Sequence, residues 1–222
     1  MNRIYQFIDE RLHLGPLISE IANHPVPDHA NLLKTPKAII YCFGGMVFFI
    51  LLLQVLTGVF LMFYYVPSPD HAYASVTYIR QETAFGGLLQ SVHRVGASAA
   101  VVMVMLHMLR VVLTGSYKNP RELNWVVGVF LLLLVAGFSF TGYLLPWDQK
   151  AYWATTVGVN MIAGIPLIGG FLADALRGGS EVGALTLTRF FVIHVMVLPA
   201  LLTIFLAAHF FMIRRQGISR PL

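Results

Sequence analysis

The stretch LLQSVHRVGASAAVVMVMLHMLRVVL, residues 88–113, decides the fold. It exceeds the ~20 residues that cross ~30 Å of hydrocarbon, where a backbone must satisfy its own hydrogen bonds and so runs as helix. It carries His93 and His107, 14 residues apart. At ~100° per residue that separation falls about 40° short of four full turns, and at 1.5 Å per residue it spans ~21 Å. Both imidazoles therefore leave one face of the helix, one near each membrane surface. Ionisable side chains at such depths are rare and mark function by default.

Three more apolar runs share this character, roughly 39–65, 125–145 and 188–213. Of the 222 residues 57% are hydrophobic and 11% charged, with a mean hydropathy of +0.73. Water-soluble domains carry about a quarter charged residues, so an ordinary globular fold is excluded. The net charge of +5 points to a cytoplasmic membrane face and not to nucleic acid. One cysteine, Cys42, allows no internal disulfide, and neither a CxxC zinc pattern nor a CxxCH haem pattern is present. The first apolar run starts near Ala38, too far along for a signal peptide.

Four crossings put both termini on one side. The N-terminal segment (Arg3, Arg11, Lys34, Lys37), the loop after the second span with the end of that span (Arg110, Lys118, Arg121) and the tail (Arg214, Arg215, Arg220) hold ten of the fifteen basic residues. The other two loops hold only Arg80, Lys150 and Arg177, so the termini are expected in the cytoplasm. Residues 1–38 form the N-terminal segment, 39–213 the transmembrane domain and 214–222 the tail. Ile4, Phe7, Ile8 and Leu12 recur at helical spacing. That pattern fits an amphipathic helix on the cytoplasmic surface or an arm packed on a partner subunit. Between the third and fourth spans, apolar stretches Met161 to Ile168 and Phe171 to Leu176 with Gly and Pro punctuation predict one or two short helices.

The fourth span repeats the histidine pattern with His194 and His209, now 15 apart and roughly 60° beyond four turns. A kink or bulge must absorb the extra residue, and Pro199 between them can supply it by removing a backbone donor. Since the second and fourth spans run the same way, His93 opposes His194 near the outer surface and His107 opposes His209 near the inner one. The other two spans answer with glycines, also 14 apart: Gly44 and Gly58 in the first, Gly128 and Gly142 in the third. A glycine lets a flat macrocycle lie against backbone. A lone helical histidine is usually a hydrogen-bonded core residue, and glycine is common in such spans. Four coincidences at two matched depths instead fit two stacked haems b in an all-α, four-transmembrane-helix bundle, each iron held by two histidines. Arg94 and Arg110, each close to a histidine, can offset propionate charge or simply snorkel to the interface.

The segments SVHR (91–94), LTGSYKNPREL (113–123), TGYLLPWDQ (141–149), LTRF (187–190) and RRQGISRPL (214–222) resemble the cytochrome b family, and its b6 branch in particular, over essentially the whole chain. The 15-residue step in the fourth span, the end of the chain after that span and Cys42 in IIYCFGG select the b6 branch. In that branch a cysteine at the position of Cys42 holds an additional haem c through one thioether, with no protein axial ligand. Taken alone, an intramembrane cysteine is more often an inert apolar residue. Where the family often has an arginine three residues before the first histidine, this chain has Gln90, so an outer charge contact there falls to Arg94, Arg189 or a partner.

The resemblance implies a subunit of a quinol–cytochrome c or plastoquinol–plastocyanin type oxidoreductase, incomplete as an enzyme alone. It would pass electrons from outer quinol oxidation, beside Tyr143, Pro146 and Trp147, through the outer haem (His93, His194) and the inner haem (His107, His209) to the Cys42 haem and a cytoplasmic-side quinone. Gly44, Gly58, Gly128, Gly142, Arg94, Arg110 and Arg214 are the further cofactor-binding candidates. Implied partners are a three-helix subunit IV-type protein, a Rieske iron–sulfur protein and a c-type cytochrome, in a homodimeric complex of the bacterial inner membrane or thylakoid, with no nucleic acid. A rival is the haem b anchor subunit of a quinone-linked dehydrogenase, which has no use for PWDQ or the long outer loop. A third is a structural or transport bundle that binds no haem.

Overall fold

The computed structural model describes residues 36–218. The expected N-terminal surface helix and residues 219–222 lie outside the described residues. The chain divides into residues 1–39 and 40–222, and the second unit holds every element below except the first residues of a 3₁₀ segment, Pro36–Cys42. The described residues are helical, with no strand. In order come α1 (Phe43–Met62), α2 (Ala72–Glu82), α3 (Gly86–Leu113), α4 (Glu122–Leu144), α5 (Gln149–Ala163), α6 (Gly169–Arg177), α7 (Ala184–Val192), a π segment (Ile193–Val197) and α8 (Leu198–Gln216).

Four stretches are long and apolar enough to cross a bilayer: Ile39–Met62, Gly86–Leu113, Glu122–Leu144 and Ala184–Gln216. They match the four expected spans, although the first ends three residues early and the last runs on to Gln216. Their outward side chains are large and uncovered, with Leu56 68%, Val95 67%, Leu133 61% and Ile204 64% exposed. Apolar surface of that extent suits lipid and not water.

The extra residue of the fourth span sits where the sequence demands it. In the π segment the N–H of Leu198 donates to the carbonyl of Ile193, five residues back. Pro199 follows at the start of α8 and brings no N–H to the ladder. His194 lies inside the widened turn.

Helix α1 lies along α3, and α4 along α8, while α3 and α4 also touch. The second and fourth spans, which bear the four histidines, make no substantial packing contact with each other. Between the two histidine levels, Val47, Ala100, Val104 and Val135 form one small apolar cluster.

A second cluster lies at the end of the bundle away from the tail, called outer after the expectation above, where Ala72, Leu144, Val159, Ala173, Leu187 and Phe190 are fully buried. Burying a side chain of Leu or Phe size contributes about 1.5–3 kcal/mol, which ties the connecting helices α2, α5 and α6 to the ends of the spans. Two helices occupy the long loop: α6 contains the expected stretch Phe171 to Leu176, whereas α5 ends at Ala163, so most of the stretch Met161 to Ile168 is turn. The start of α5 is set by Asp148, whose carboxylate accepts the N–H of Ala151 at 2.8 Å. Helix α2 in the first loop was not expected. It buries Ala72, Ser75 and Ile79 on one face. The Tyr65 hydroxyl donates to the Leu145 carbonyl at 2.7 Å, joining the ends of α1 and α4, and burial pushes that phenol well above the usual tyrosine range.

Candidate functional site

At the outer level α3 and the π segment bring His93 and His194 to a ring-centroid separation of 6.4 Å, with planes at 70°. The Nδ1–H of His93 donates to the Thr57 hydroxyl at 2.9 Å, and that of His194 to the Thr141 hydroxyl at 3.0 Å. The direction of these bonds follows from proton counting. Each threonine has one hydroxyl hydrogen, and it is spent on a backbone carbonyl, Leu53 at 2.6 Å for Thr57 and Gly137 at 2.8 Å for Thr141. Each oxygen can then only accept from the imidazole. The Nε2 lone pair of both rings is left available, which is the state in which histidine binds metal.

The four glycines stand where expected. An added Cβ would meet Cε1 of His107 at 3.1 Å from Gly44, of His93 at 3.3 Å from Gly58, of His209 at 3.7 Å from Gly128 and of His194 at 2.7 Å from Gly142. Each histidine thus faces one glycine on a neighbouring span.

At the inner level a cavity of about 300 Å³ lies among α1, α3, α4 and α8, with Gly44, His107, Arg110, Asn124, Gly128 and His209 on its walls. Arg110 stacks over Tyr41 at 4.2 Å. Several buried polar atoms here lack a hydrogen-bond partner among the described residues: Nε of Arg110, Nε of Arg121 and Oδ1 of Asn124. Such atoms are costly to leave unmade, and two guanidinium N–H groups suit carboxylates.

These observations fit haem. No group of three or more His, Cys, Asp or Glu side chains among the described residues can hold a bare metal ion. Two opposed imidazoles would suit a metal whose remaining ligands come with it, as in haem. With metal–imidazole bonds of about 2.0–2.1 Å, two rings sharing one metal have centroids on the order of 6 Å apart, close to the outer separation. The lack of substantial contact between α3 and α8 would leave room for a macrocycle, and the glycines would permit its approach.

Other expected residues are scattered. Cys42 is half-buried, two residues before Gly44. Arg94 is exposed and Arg214 half-buried, and neither lines the inner cavity. The guanidinium of Arg189 donates through Nη1 to the carbonyls of Asp174 and Ala175 and so caps α6. Tyr143 is exposed, whereas Pro146 is half-buried and Trp147 packs against the outer cluster. The Trp147 backbone is left-handed, with φ 53°, a strained state for a bulky residue. It is held by its N–H to the Leu144 carbonyl at 2.8 Å and by Tyr152, whose ring lies edge-on at 5.9 Å. An outer cavity of about 360 Å³ lies instead between α5 and the turn after α6, among Tyr152, Trp153, Asn160 and Arg177.

The two threonines were missed in the sequence. The signal was there: Thr-Gly occurs at 57–58 and again at 141–142, with the glycine facing one histidine and the threonine bonding it.

The cytochrome b/b6/petB family model matches residues 30–217. The chain is 51% identical to the menaquinol:cytochrome c reductase cytochrome b subunit of Geobacillus thermodenitrificans, over the full length of both. It is 46% identical to cytochrome b6 of Gracilaria tenuistipitata var. liui, again over both full lengths. A chain of a hyperthermophilic respiratory Complex III superposes with a TM-score of 0.83 at 32% identity, covering 97% of this chain and 56% of that one. With paired histidines, facing glycines and four spans already in place, the chain belongs to the cytochrome b/b6 family.

Proposed function

We propose that this chain is the electron-conducting cytochrome b subunit of a quinol:cytochrome c reductase or b6f-type complex. The observation that carries the reading is the pair of histidine levels, each ring faced by a glycine, on helices that do not otherwise pack. His93 and His194 would hold one haem b, and His107 and His209 a second. Bound at both levels, haem supplies reversible one-electron chemistry near each face of the bilayer. Thr57 and Thr141 hold the outer rings with Nε2 unprotonated. Arg110 and Arg121 carry the buried N–H groups that would meet propionates at the inner level. The Val47, Ala100, Val104 and Val135 cluster keeps water out between the levels.

Cys42 would hold a further haem by adding its S–H across one vinyl group. The sulfur takes the carbon, the hydrogen goes to the neighbouring carbon, and nothing is oxidised. Quinol would bind on the outer side near the turn that contains Tyr143, Pro146 and Trp147, and quinone on the inner side. The spans offer no carboxylic acid at depth to take the quinol proton, so a companion subunit, with an iron–sulfur protein and a c-type cytochrome, would complete the outer site. Both termini would face the cytoplasm or stroma.

The test is a haem count on the purified complex. Reduced-minus-oxidised spectra should show b-type α-bands with two extractable haems per chain, and a denaturing gel stained for haem should keep one band that Cys42→Ala removes. A colourless chain sinks the proposal. Haem running wholly at the dye front would leave Cys42 as an ordinary packing residue.

A further inference from the structure

We infer that Thr57 and Thr141 are a matched pair of positioning residues that set the outer metal centre electronically apart from the inner one. The inference rests on the proposed haem between His93 and His194. Back-bonding of a helical threonine to the carbonyl four residues earlier is common and by itself means little. Here each hydroxyl also crosses to another span and accepts from an imidazole Nδ1. Both threonines are buried, 4% exposed, so no bulk water competes for that bond.

The inner level lacks the device. Each outer hydroxyl belongs to the residue just before the glycine that faces the ring. The residues just before Gly44 and Gly128 are Phe43 and Val127, whose side chains cannot hydrogen-bond. The position just before the glycine in the first span, and its counterpart in the third, is therefore where the two levels differ.

Two consequences follow for the outer level. The bond fixes the tautomer and the rotation of each ring. It also draws Nδ1–H toward the hydroxyl oxygen, which makes Nε2 a stronger donor to the metal. A stronger donor favours the oxidised ion, so the two hydroxyls lower the reduction potential of the outer centre below the value it would have without them.

The experiment is a potentiometric titration of the haem α-bands in the purified, haem-loaded complex, with the electron spin resonance of the oxidised centres recorded alongside. In Thr57→Val and Thr141→Val the outer centre should shift to higher potential, further in the double variant, and its spin-resonance g values should change as the rings are released. The inner centre should not move. Thr57→Ser and Thr141→Ser should restore both properties. Thr203→Val removes a hydroxyl that bonds only the Pro199 carbonyl and should leave both centres as they are. If a valine variant does not accumulate, the cysteine variants replace it, since a thiol accepts weakly and should give a smaller shift in the same direction. Unchanged outer potential and g values in variants that keep full haem overturn the inference. A wild-type chain without b-type haem overturns the reading beneath it instead.

Discussion

A methyl group on Gly142 would lie 2.7 Å from Cε1 of His194, closer than real side chains approach, whereas the same methyl on Gly128 would rest 3.7 Å from His209 in ordinary contact. Gly44 and Gly58 fall between, at 3.1 and 3.3 Å. His194 cannot turn aside cheaply, because Thr141 holds its Nδ1 and Phe138 meets its ring edge-on at 5.5 Å. The four alanine variants should therefore be graded. Gly142→Ala should lose the outer haem, about half the b-type haem of the complex. Gly44→Ala and Gly58→Ala should retain it partially, and Gly128→Ala should bind nearly the full amount. Extracted haem per chain, measured variant by variant, checks the order, and equal losses at Gly128 and Gly142 would contradict it. At this scale the facing of the four histidines was legible, because helical period carries a residue's face and depth over 14 positions without reference to any neighbour. Thr57 and Thr141 were not. A threonine in a span has an ordinary use on its own backbone, and only the approach of a second helix shows that its oxygen is shared.

Among the elements, the fourth span departs furthest from regular helix, and its departure is what makes the histidines agree. His194 and His209 are 15 residues apart, but the π segment takes up one residue, so the pair is related much as His93 and His107 are across 14. Removing that residue should therefore be harmless where adding one is not. Met196 lies in the π segment with 66% of its surface exposed, and its deletion should convert the segment to α-helix and leave both b-type haems bound. An alanine inserted after Ile204, within α8, should swing His209 by ~100° relative to His194 and abolish one haem. Haem content with the far-UV circular dichroism of each variant reads the result. Loss of haem in the deletion with helix content intact would mean that the π turn itself, and not the register it restores, holds His194. The need for a bulge was legible from the count of residues, and Pro199 pointed to its neighbourhood. Helix α2 was not legible, since AYASVTYIRQE mixes polar and apolar residues too evenly to announce a face. It becomes a helix because the outer cluster receives Ala72.

For the whole molecule the decisive feature is what fails to touch. The first span packs on the second and the third on the fourth, yet the second and the fourth meet hardly at all, although they carry all four proposed ligands. Lipid gives apolar helices no hydrophobic reason to associate, so direct packing and polar contacts must hold them. Across the centre of this bundle such packing is thin, and a bound macrocycle with a bond to each side would replace it. Anything that binds the folded form and not the separated one stabilises it in proportion to its affinity. The chain made in haem-depleted cells should then keep its two helix pairs while the distance between them loosens. Spin labels in a Cys42→Ser background test this at lipid-facing sites. Val102 and Ile204, 58% and 64% exposed, report across the proposed haem from α3 to α8, and Leu56 and Val95, 68% and 67% exposed, report within the pair α1 and α3. Haem depletion should broaden the first distance distribution several-fold and leave the second narrow. If both stay narrow, apolar packing alone fixes the bundle and haem enters a finished cavity. If both broaden, the pairs are not independent units, and the cofactor organises the whole transmembrane domain and not only its centre.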